Sequence, residues 1–416
     1  MEGLLIQKGK TSESYRWRIL GLMWLCAVAY GVLYQCIPPV LGMIMDSLGI
    51  SHAEAGGLMS LFVLPGIFLA IPGGALADRY GSRIVGSLSL LVMLVGTGVA
   101  VLGRTYPVLG LGRMVAGLGA TVFTVVLPRV TTAWFEDREI GLSMGILNTA
   151  MPLGTILSLS FLGEVGRVWG WRGALWIAMA ICLVALVAFR LVYRDREPQK
   201  QWKKEGSSLR SGIGALGARI WWLSISWAFY NAGLMAYFTY AADYFSAQGL
   251  ELSRAGRLAS YPMWGSLVIS PAIGIMIDRI GGKRRLIGFS CGAAALLFYM
   301  IPAFPAWGAV LTLLLGVFVA LVAPAIFTLP AEVVPRARMG LGFGVLNTIF
   351  GIGAMVGPLG VGVLRDATGD YRAGFTLMAV FAALGGVAIF FLKGDRPVPG
   401  SETAVASRER SAGERI

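Results

Sequence analysis

The chain has 416 residues, of which 56% are hydrophobic and only 14% charged, and its mean hydropathy is +0.72. A soluble globular protein carries about a quarter charged residues, so this composition excludes a water-soluble fold and makes the bilayer the expected solvent. The formal charge of +13 would suit a nucleic-acid binder, but the bases follow the loops of a membrane protein, and no nucleic-acid partner is expected.

A spanning helix needs about 20 mostly apolar residues. Residues 19–45 contain no charge and supply the first, with Pro38-Pro39 placed to kink or end its regular hydrogen bonding. The second runs over 53–77, the third over 84–102 and the fourth over 106–133. The fourth is the only helix with a cation well inside it, Arg113. The fifth covers 140–163 and the sixth 173–193. Residues 194–219 are polar and basic, including Lys200-Gln201-Trp202-Lys203-Lys204, and read as a linker. The seventh helix covers 220–244 and the eighth 255–277. Residues 286–331 carry no charge and suffice for two crossings, with Pro302-Ala303-Phe304-Pro305 as the turn. The eleventh covers 339–364, the twelfth 373–392, and a Ser/Glu/Arg-rich tail with the composition of disorder follows. The expected organisation is an amino-terminal segment (1–17), a six-helix bundle (18–193), the linker (194–219), a second six-helix bundle (220–393) and the tail (394–416).

The halves repeat. Gly74-Ala75-Leu76-Ala77-Asp78-Arg79-Tyr80-Gly81-Ser82-Arg83 returns in degraded form as Gly274-Ile275-Met276-Ile277-Asp278-Arg279-Ile280-Gly281-Gly282-Lys283. Gly141-Leu142-Ser143-Met144-Gly145-Ile146-Leu147-Asn148-Thr149 is mirrored by Gly340-Leu341-Gly342-Phe343-Gly344-Val345-Leu346-Asn347-Thr348, and Trp171-Arg172 by Tyr371-Arg372. The side opposite the hinges holds only Arg104, Arg167, Arg172, Arg254, Arg257, Arg365 and Arg372. Apart from Arg113, every other Lys and Arg of the 35 falls on the hinge side. The positive-inside rule makes the hinge side, with both termini, cytoplasmic. The excess charge is then a topology signal that can also attract membrane lipid.

Gly74-x-Leu76-Ala77-Asp78-Arg79-x-Gly81-x-Arg83 resembles the signature hinge of the major facilitator superfamily, and residues 274–283 resemble its second copy. Arg113-x-x-x-Gly117-x-Gly119 is similar to the helix-four motif, and Ala150-Met151-Pro152-Leu153-Gly154 echoes the helix-five motif of its antiporters. The resemblance covers residues 18–395. It implies an all-α integral membrane fold of twelve transmembrane helices in two pseudo-symmetric six-helix bundles. It also implies alternating access around a midplane site by a rocker-switch motion, without chemistry on the substrate and without a cofactor. Organic-anion symporters of the superfamily carry Arg-x-x-x-Gly-x-x-Glu at this place. Here Arg113 and Gly117 match, and Ala120 stands where the Glu would be. The anion half of that likeness survives, while the Glu that would couple protons has no counterpart at this position.

An ionisable group inside a membrane helix marks function by default. No Asp or Glu stands near the middle of any expected helix, so Arg113 favours an anion, which a guanidinium can grip with two parallel hydrogen bonds. The alternative is a brace to backbone carbonyls. Polar and aromatic residues on the first helix (Tyr30, Tyr34, Gln35) and the seventh (Trp227, Tyr230, Asn231, Tyr237, Tyr240) are further candidates for substrate contact, with Tyr261 on the eighth. The gating candidates are Asp78, Arg79, Arg83, Asp278 and Arg279 of the hinges. The mates Asn148 and Asn347 join them, where flanking glycines would let helices approach closely. His52, the only histidine, reads as a solvated residue of an outer turn. The four cysteines, Cys26, Cys36, Cys182 and Cys291, lie in apolar runs without metal spacing and read as core, so no metal is expected.

The expected protein is a monomeric carrier of a small organic anion, carboxylates first, or of an inorganic anion. A coupling proton or a counter-anion would be its second small partner. An exporter of apolar drug-like compounds is the alternative within transport, and a non-transporting receptor on the same fold is the alternative outside it. An enzyme is not expected: the chain shows no nucleophile-base pair, metal cluster or nucleotide loop.

Overall fold

A computed structural model of the protein describes residues 2–135, 139–195, 216–276, 282–335 and 338–392. Among these residues the chain is helical without strands. The helices are α1 (Glu2–Gln35), α2 (Leu41–Leu48), α3 (His52–Tyr80), α4 (Ser82–Leu102), α5 (Tyr106–Phe135), α6 (Ile140–Asn148) and α7 (Ala150–Val192). They continue with α8 (Ala218–Ala247), α9 (Leu252–Met276), α10 (Lys283–Ala303), α11 (Gly308–Thr328), α12 (Pro330–Val333), α13 (Met339–Thr368) and α14 (Tyr371–Phe390). Residues 196–215 of the linker and the tail from 393 lie outside the described residues.

Among the described residues, nine stretches are long and apolar enough to cross a membrane. One, Ile140–Val192, is 53 residues long and folds as two crossings because Gly170 turns the chain at φ 71°, ψ 168°. A side chain would strain that backbone; glycine adopts it freely. The helices α8 and α9 each have the length of a crossing, and in α8 Trp, Tyr and Ser dilute the aliphatic residues. The architecture is therefore a multi-pass membrane protein of twelve crossings, with α6 and the first part of α7 forming the fifth.

Local chemistry sets the breaks. Pro38 and Pro39 interrupt the first crossing as a 3-10 turn, Pro38–Val40, after which α2 completes it. Ser51 starts α3 with a capping box: its hydroxyl accepts from the Glu54 N–H at 3.2 Å while Glu54 Oε2 accepts from the Ser51 N–H at 2.9 Å. Between α6 and α7 the helix restarts at Thr149. Pro152 has no N–H to offer the Asn148 carbonyl, and regular bonding resumes with Leu153 N–H to Thr149 O at 3.2 Å. Thr149 Oγ1 donates to Ile146 O at 2.7 Å and accepts from Trp24 Nε1 at 2.9 Å, which holds the break in place. The mate in α13 has Gly351 at the corresponding position, and that helix runs on through Asn347.

By its internal contacts the chain forms two compact units. The first contains residues 1–201 with 238–263, so it takes in the adjoining ends of α8 and α9. The second contains residues 202–237 and 264–416.

Candidate functional site

In the first unit the site is built around Arg113, which is only 3% exposed. Gly117, one turn along α5, makes this possible: a Cβ there would collide with the Phe62 carbonyl, so its absence lets α5 close on α3. The Arg113 guanidinium then reaches the backbone of two other helices. Nη1 donates to Leu33 O at 2.8 Å and Nη2 to Tyr34 O at 3.0 Å, both near the end of α1, and Nε reaches Leu58 O of α3 at 3.3 Å. Cys36 Sγ and Met59 Sδ lie at 3.8 and 3.7 Å, and the guanidinium sits over the Phe62 ring at 4.3 Å from its centroid. Pro38-Pro39 supplies the reason that α1 has carbonyls to give: the helix ends at Gln35, so Leu33 and Tyr34 lie in its last turn, where backbone acceptors lack partners. Of the two sequence readings of Arg113, this conformation presents the brace. Its donors hold helix ends together instead of pointing into open space.

Tyr30, Tyr34 and Phe62 form a layer beside this cation. The Tyr30 and Tyr34 rings are parallel at 6.3 Å, and Phe62 lies 5.2 Å from Tyr34 and 6.5 Å from Tyr30. Tyr34 is buried and Tyr30 is half-buried, so Tyr30 is the member that meets the surface of the unit. Gln35 is 1% exposed. Its carbonyl accepts from Ser158 Oγ at 2.6 Å, while its Oε1 is buried without a hydrogen-bond donor among the described residues.

The seventh-helix candidates do not stay together. Trp227, Tyr230, Asn231 and Tyr237 belong to the second unit, and Tyr240 belongs to the first, as does Tyr261 of α9, which is part-buried. Trp227 stacks on Tyr230 at 5.8 Å and on Phe350 at 6.0 Å and meets Phe327 edge-on at 5.5 Å. Phe327 in turn stacks on Phe343 at 6.5 Å. This wall, from α8, α11 and α13, is the feature that sequence reasoning missed: phenylalanines are frequent in membrane helices, and nothing in their spacing set Phe327, Phe343 and Phe350 apart. Asn231 donates to Trp227 O at 2.8 Å, one turn back in its own helix, and so serves its backbone. Tyr237 packs between Phe298 and Phe375 in the interior of its unit. Tyr240 donates its hydroxyl to His52 O at 2.6 Å.

His52 departs from the expectation of a solvated turn residue. It is the first residue of α3, and its Nε2 stands 3.9 Å from Asp243 Oδ2, both side chains being about one-fifth exposed. The two helix ends, α3 and α8, are thereby tied twice, once by the Tyr240 hydroxyl and once by this pair.

The hinge is described only in part. The Asp78 side chain and the whole of Asp278 and Arg279 lie outside the described residues. Arg79 is exposed and lies over the Tyr80 ring at 5.2 Å. Arg83 ties the start of α4 to the end of α7. Its N–H donates to Asp195 Oδ1 at 3.1 Å and its Nη2 to Arg190 O at 3.2 Å. Asp195 thus caps α4 from a position that reads in sequence as mere linker. Burial, with the Asp195 carboxylate beside it, pushes the Tyr193 phenol well above its ordinary range and keeps it a neutral donor there. In the second unit Lys283 Nζ meets Glu332 Oε1 at 3.1 Å. Asn148 and Asn347 are both exposed on their own units. The close helix approach expected at Gly141 and Gly145 is absent: a Cβ at either would meet nothing within 4 Å. Those glycines border open space in this structure because α6 has no packed neighbour on that face.

Comparison with known proteins adds the family. A family model described as Major Facilitator Superfamily matches residues 23–261 and 231–414. A protein of Cupriavidus necator named as a probable sulfoacetate transporter is 25% identical over 91% of this chain and 94% of its own. A lysosomal dipeptide transporter of Danio rerio is 24% identical over 95% and 91%. A probable nitrate/nitrite transporter of Mycobacterium tuberculosis is 26% identical over 86% and 92%. Among solved structures, the nucleoside transporter NupG (D323A mutant) superposes with a TM-score of 0.75 at 14% identity, covering 90% of this chain and all of that one, a likeness of fold alone.

Proposed function

Since the chain belongs to the major facilitator superfamily and is a membrane transporter, not an enzyme, we propose that its cargo is a small anion, an organic carboxylate or sulfonate first and an inorganic oxyanion second. The observation that carries this reading is the electrostatics of Arg113. Its partners are carbonyls, sulfurs and a ring, and no carboxylate among the described residues answers it. Hydrogen bonds to carbonyls solvate the guanidinium but do not cancel its charge, so the first unit keeps a positive centre behind the Tyr30–Tyr34 layer. At an effective dielectric of about 20, a unit anion about 8 Å away gains about 2 kcal/mol from it, and a cation loses as much. Arg113 in this reading is a positioning residue. It fixes α1 against α3 and α5 and supplies the field, while the Tyr30 hydroxyl at the surface of the layer offers the hydrogen bond.

The names of two relatives, a sulfoacetate and a nitrate/nitrite transporter, support an anion. The aromatic wall of Trp227, Phe327 and Phe350 favours a second reading, export of apolar compounds, because flat rings bind apolar surfaces without regard to charge. The proposed setting is the cytoplasmic membrane, with both termini inside, a monomeric protein, and a proton or counter-anion as the coupled partner.

A melting screen in detergent tests the proposal, because a ligand that binds the folded state raises the melting point. The panel holds sulfoacetate, acetate, succinate, nitrate, a sugar and a lipophilic cation, applied to wild type, Tyr30→Phe, Arg113→Lys and Arg113→Gln. An anion is expected to stabilise wild type and Arg113→Lys, which keeps the charge, and to lose most of its effect on Arg113→Gln. Stabilisation by the lipophilic cation alone, equal in all four proteins, would overturn the anion assignment in favour of the export reading.

A further inference from the structure

At the end of α4 opposite the hinge, Val101, Leu102, Arg104, Arg172 and Trp176 line an open recess of about 370 Å³. None of its lining residues is acidic. Arg172, early in the second crossing of α7, donates Nε to Val101 O at 3.2 Å and Nη2 to Gly103 O at 2.9 Å. It thereby covers the negative carbonyl end of α4 and is held in one orientation. Its guanidinium also lies over the Trp171 ring, 4.1 Å from the centroid. Arg104, just past the helix end, is exposed and makes no hydrogen bond or ion pair with the described residues. Leu102 is 72% exposed and Trp176, one turn beyond Arg172, is 49% exposed. Exposed Leu and Trp beside two guanidiniums, at the end of a membrane crossing, match the boundary where acyl chains meet headgroups.

The repeat sharpens the point. In the second half the equivalent arginine, Arg372, stands 3.8 Å from Asp370, two residues before it. The residue two before Arg172 is Gly170, which the turn requires, so the first half has no carboxylate at that place. The charge that the second half answers internally is left unanswered in the first. We propose that this recess binds an anionic phospholipid, its phosphate on Arg104 and Nη1 of Arg172 and its chain along Leu102 and Trp176.

The test is native mass spectrometry of the detergent-purified full chain, titrated with phosphatidylglycerol or phosphatidylcholine, together with melting curves in inorganic phosphate. The variants are Arg104→Gln, whose exposed side chain the fold does not use, Trp176→Ala, and Arg254→Gln as a remote control. Arg172→Gln is avoided because it also uncaps α4. The expected result is a phosphatidylglycerol affinity about fivefold lower in Arg104→Gln than in wild type and the control, with weaker retention in Trp176→Ala. Phosphatidylcholine binding should be the same in wild type, Arg104→Gln and the control. Equal phosphatidylglycerol affinity in wild type and Arg104→Gln overturns the proposal. So does Arg104-dependent stabilisation by inorganic phosphate alone, which would make the recess a site for soluble anions.

Discussion

Replacing Arg113 by Gln removes the fork that joins three backbone segments. Two of its bonds, to Leu33 O at 2.8 Å and Tyr34 O at 3.0 Å, have good length, and the third, to Leu58 O at 3.3 Å, is long. A charge-assisted hydrogen bond contributes at least about 1.5 kcal/mol, so the two good ones contribute about 3 kcal/mol, and the carbonyls left behind belong to buried residues. Desolvation of the guanidinium is relieved in the variant, which is why the low end of the range applies. For a bundle of this size, 1 kcal/mol corresponds to about 2–4 °C, so Arg113→Gln should melt about 6–12 °C below wild type without any ligand. Arg113→Lys, with one ammonium for three acceptors, should fall between them. The assay is thermal unfolding in detergent followed by intrinsic tryptophan fluorescence. A Gln variant that melts within about 2 °C of wild type would refute the reasoning, since the carbonyl contacts would then contribute nothing to the fold.

Asp195→Ala should uncap α4 and lower the melting point by about 2–4 °C, the effect of about 1 kcal/mol at a helix start; no change would mean that water caps Arg83 equally well. Gly117→Ala should be worse than any of these in yield, because its Cβ would press on the Phe62 carbonyl between two packed backbones; detergent size-exclusion of the variant checks it, and a wild-type profile argues against close packing there. Pro152→Ala returns an N–H to the Asn148 carbonyl and should raise the melting point by about 1 kcal/mol equivalent while slowing flux in proteoliposomes; unchanged flux would show that the break in the fifth crossing is structural only. Tyr240→Phe removes one donor from the His52 carbonyl and should cost about 1 kcal/mol in the same melting assay; a variant as stable as wild type would show that this tie carries no weight.

The sequence made the crossings readable because apolar length is what a bilayer demands, and the turns at Pro38 and Pro305 followed from a missing N–H. Even α8, diluted by Trp and Tyr, was visible from its uncharged length. Arg113 stood out because a charge in a membrane helix is costly. Its partners did not, since Leu33, Tyr34 and Leu58 take part through backbone carbonyls that every residue possesses. Asp195 was hidden for a related reason: an acid at the start of a basic linker looks solvated until the start of α4 is placed beside it. His52 was misread because its neighbour Asp243 is distant in sequence and only folding brings α8 to α3. The Asn148 and Asn347 repeat was legible. That Pro152 would break one copy of the helix while Gly351 left the other continuous follows from one residue set against a symmetry that invites the opposite expectation.

That broken copy gives the molecule unequal halves. The segment α6 is nine residues long, about 13 Å of rod, and a tilt of about 20° at Thr149 would carry its start, where Glu139 pairs with Arg16 at 3.0 Å, by about 5 Å. Its glycines face open space, and its far joint is a single threonine. The matching helix in the second half runs without a break from Met339 to Thr368, with Pro358 inside it. A short jointed segment in the first unit and a continuous helix in the second make the two repeats mechanically unequal. Spin labels at residues 141 and 156 would register that swing as a change in separation during turnover, and a fixed separation would rule it out.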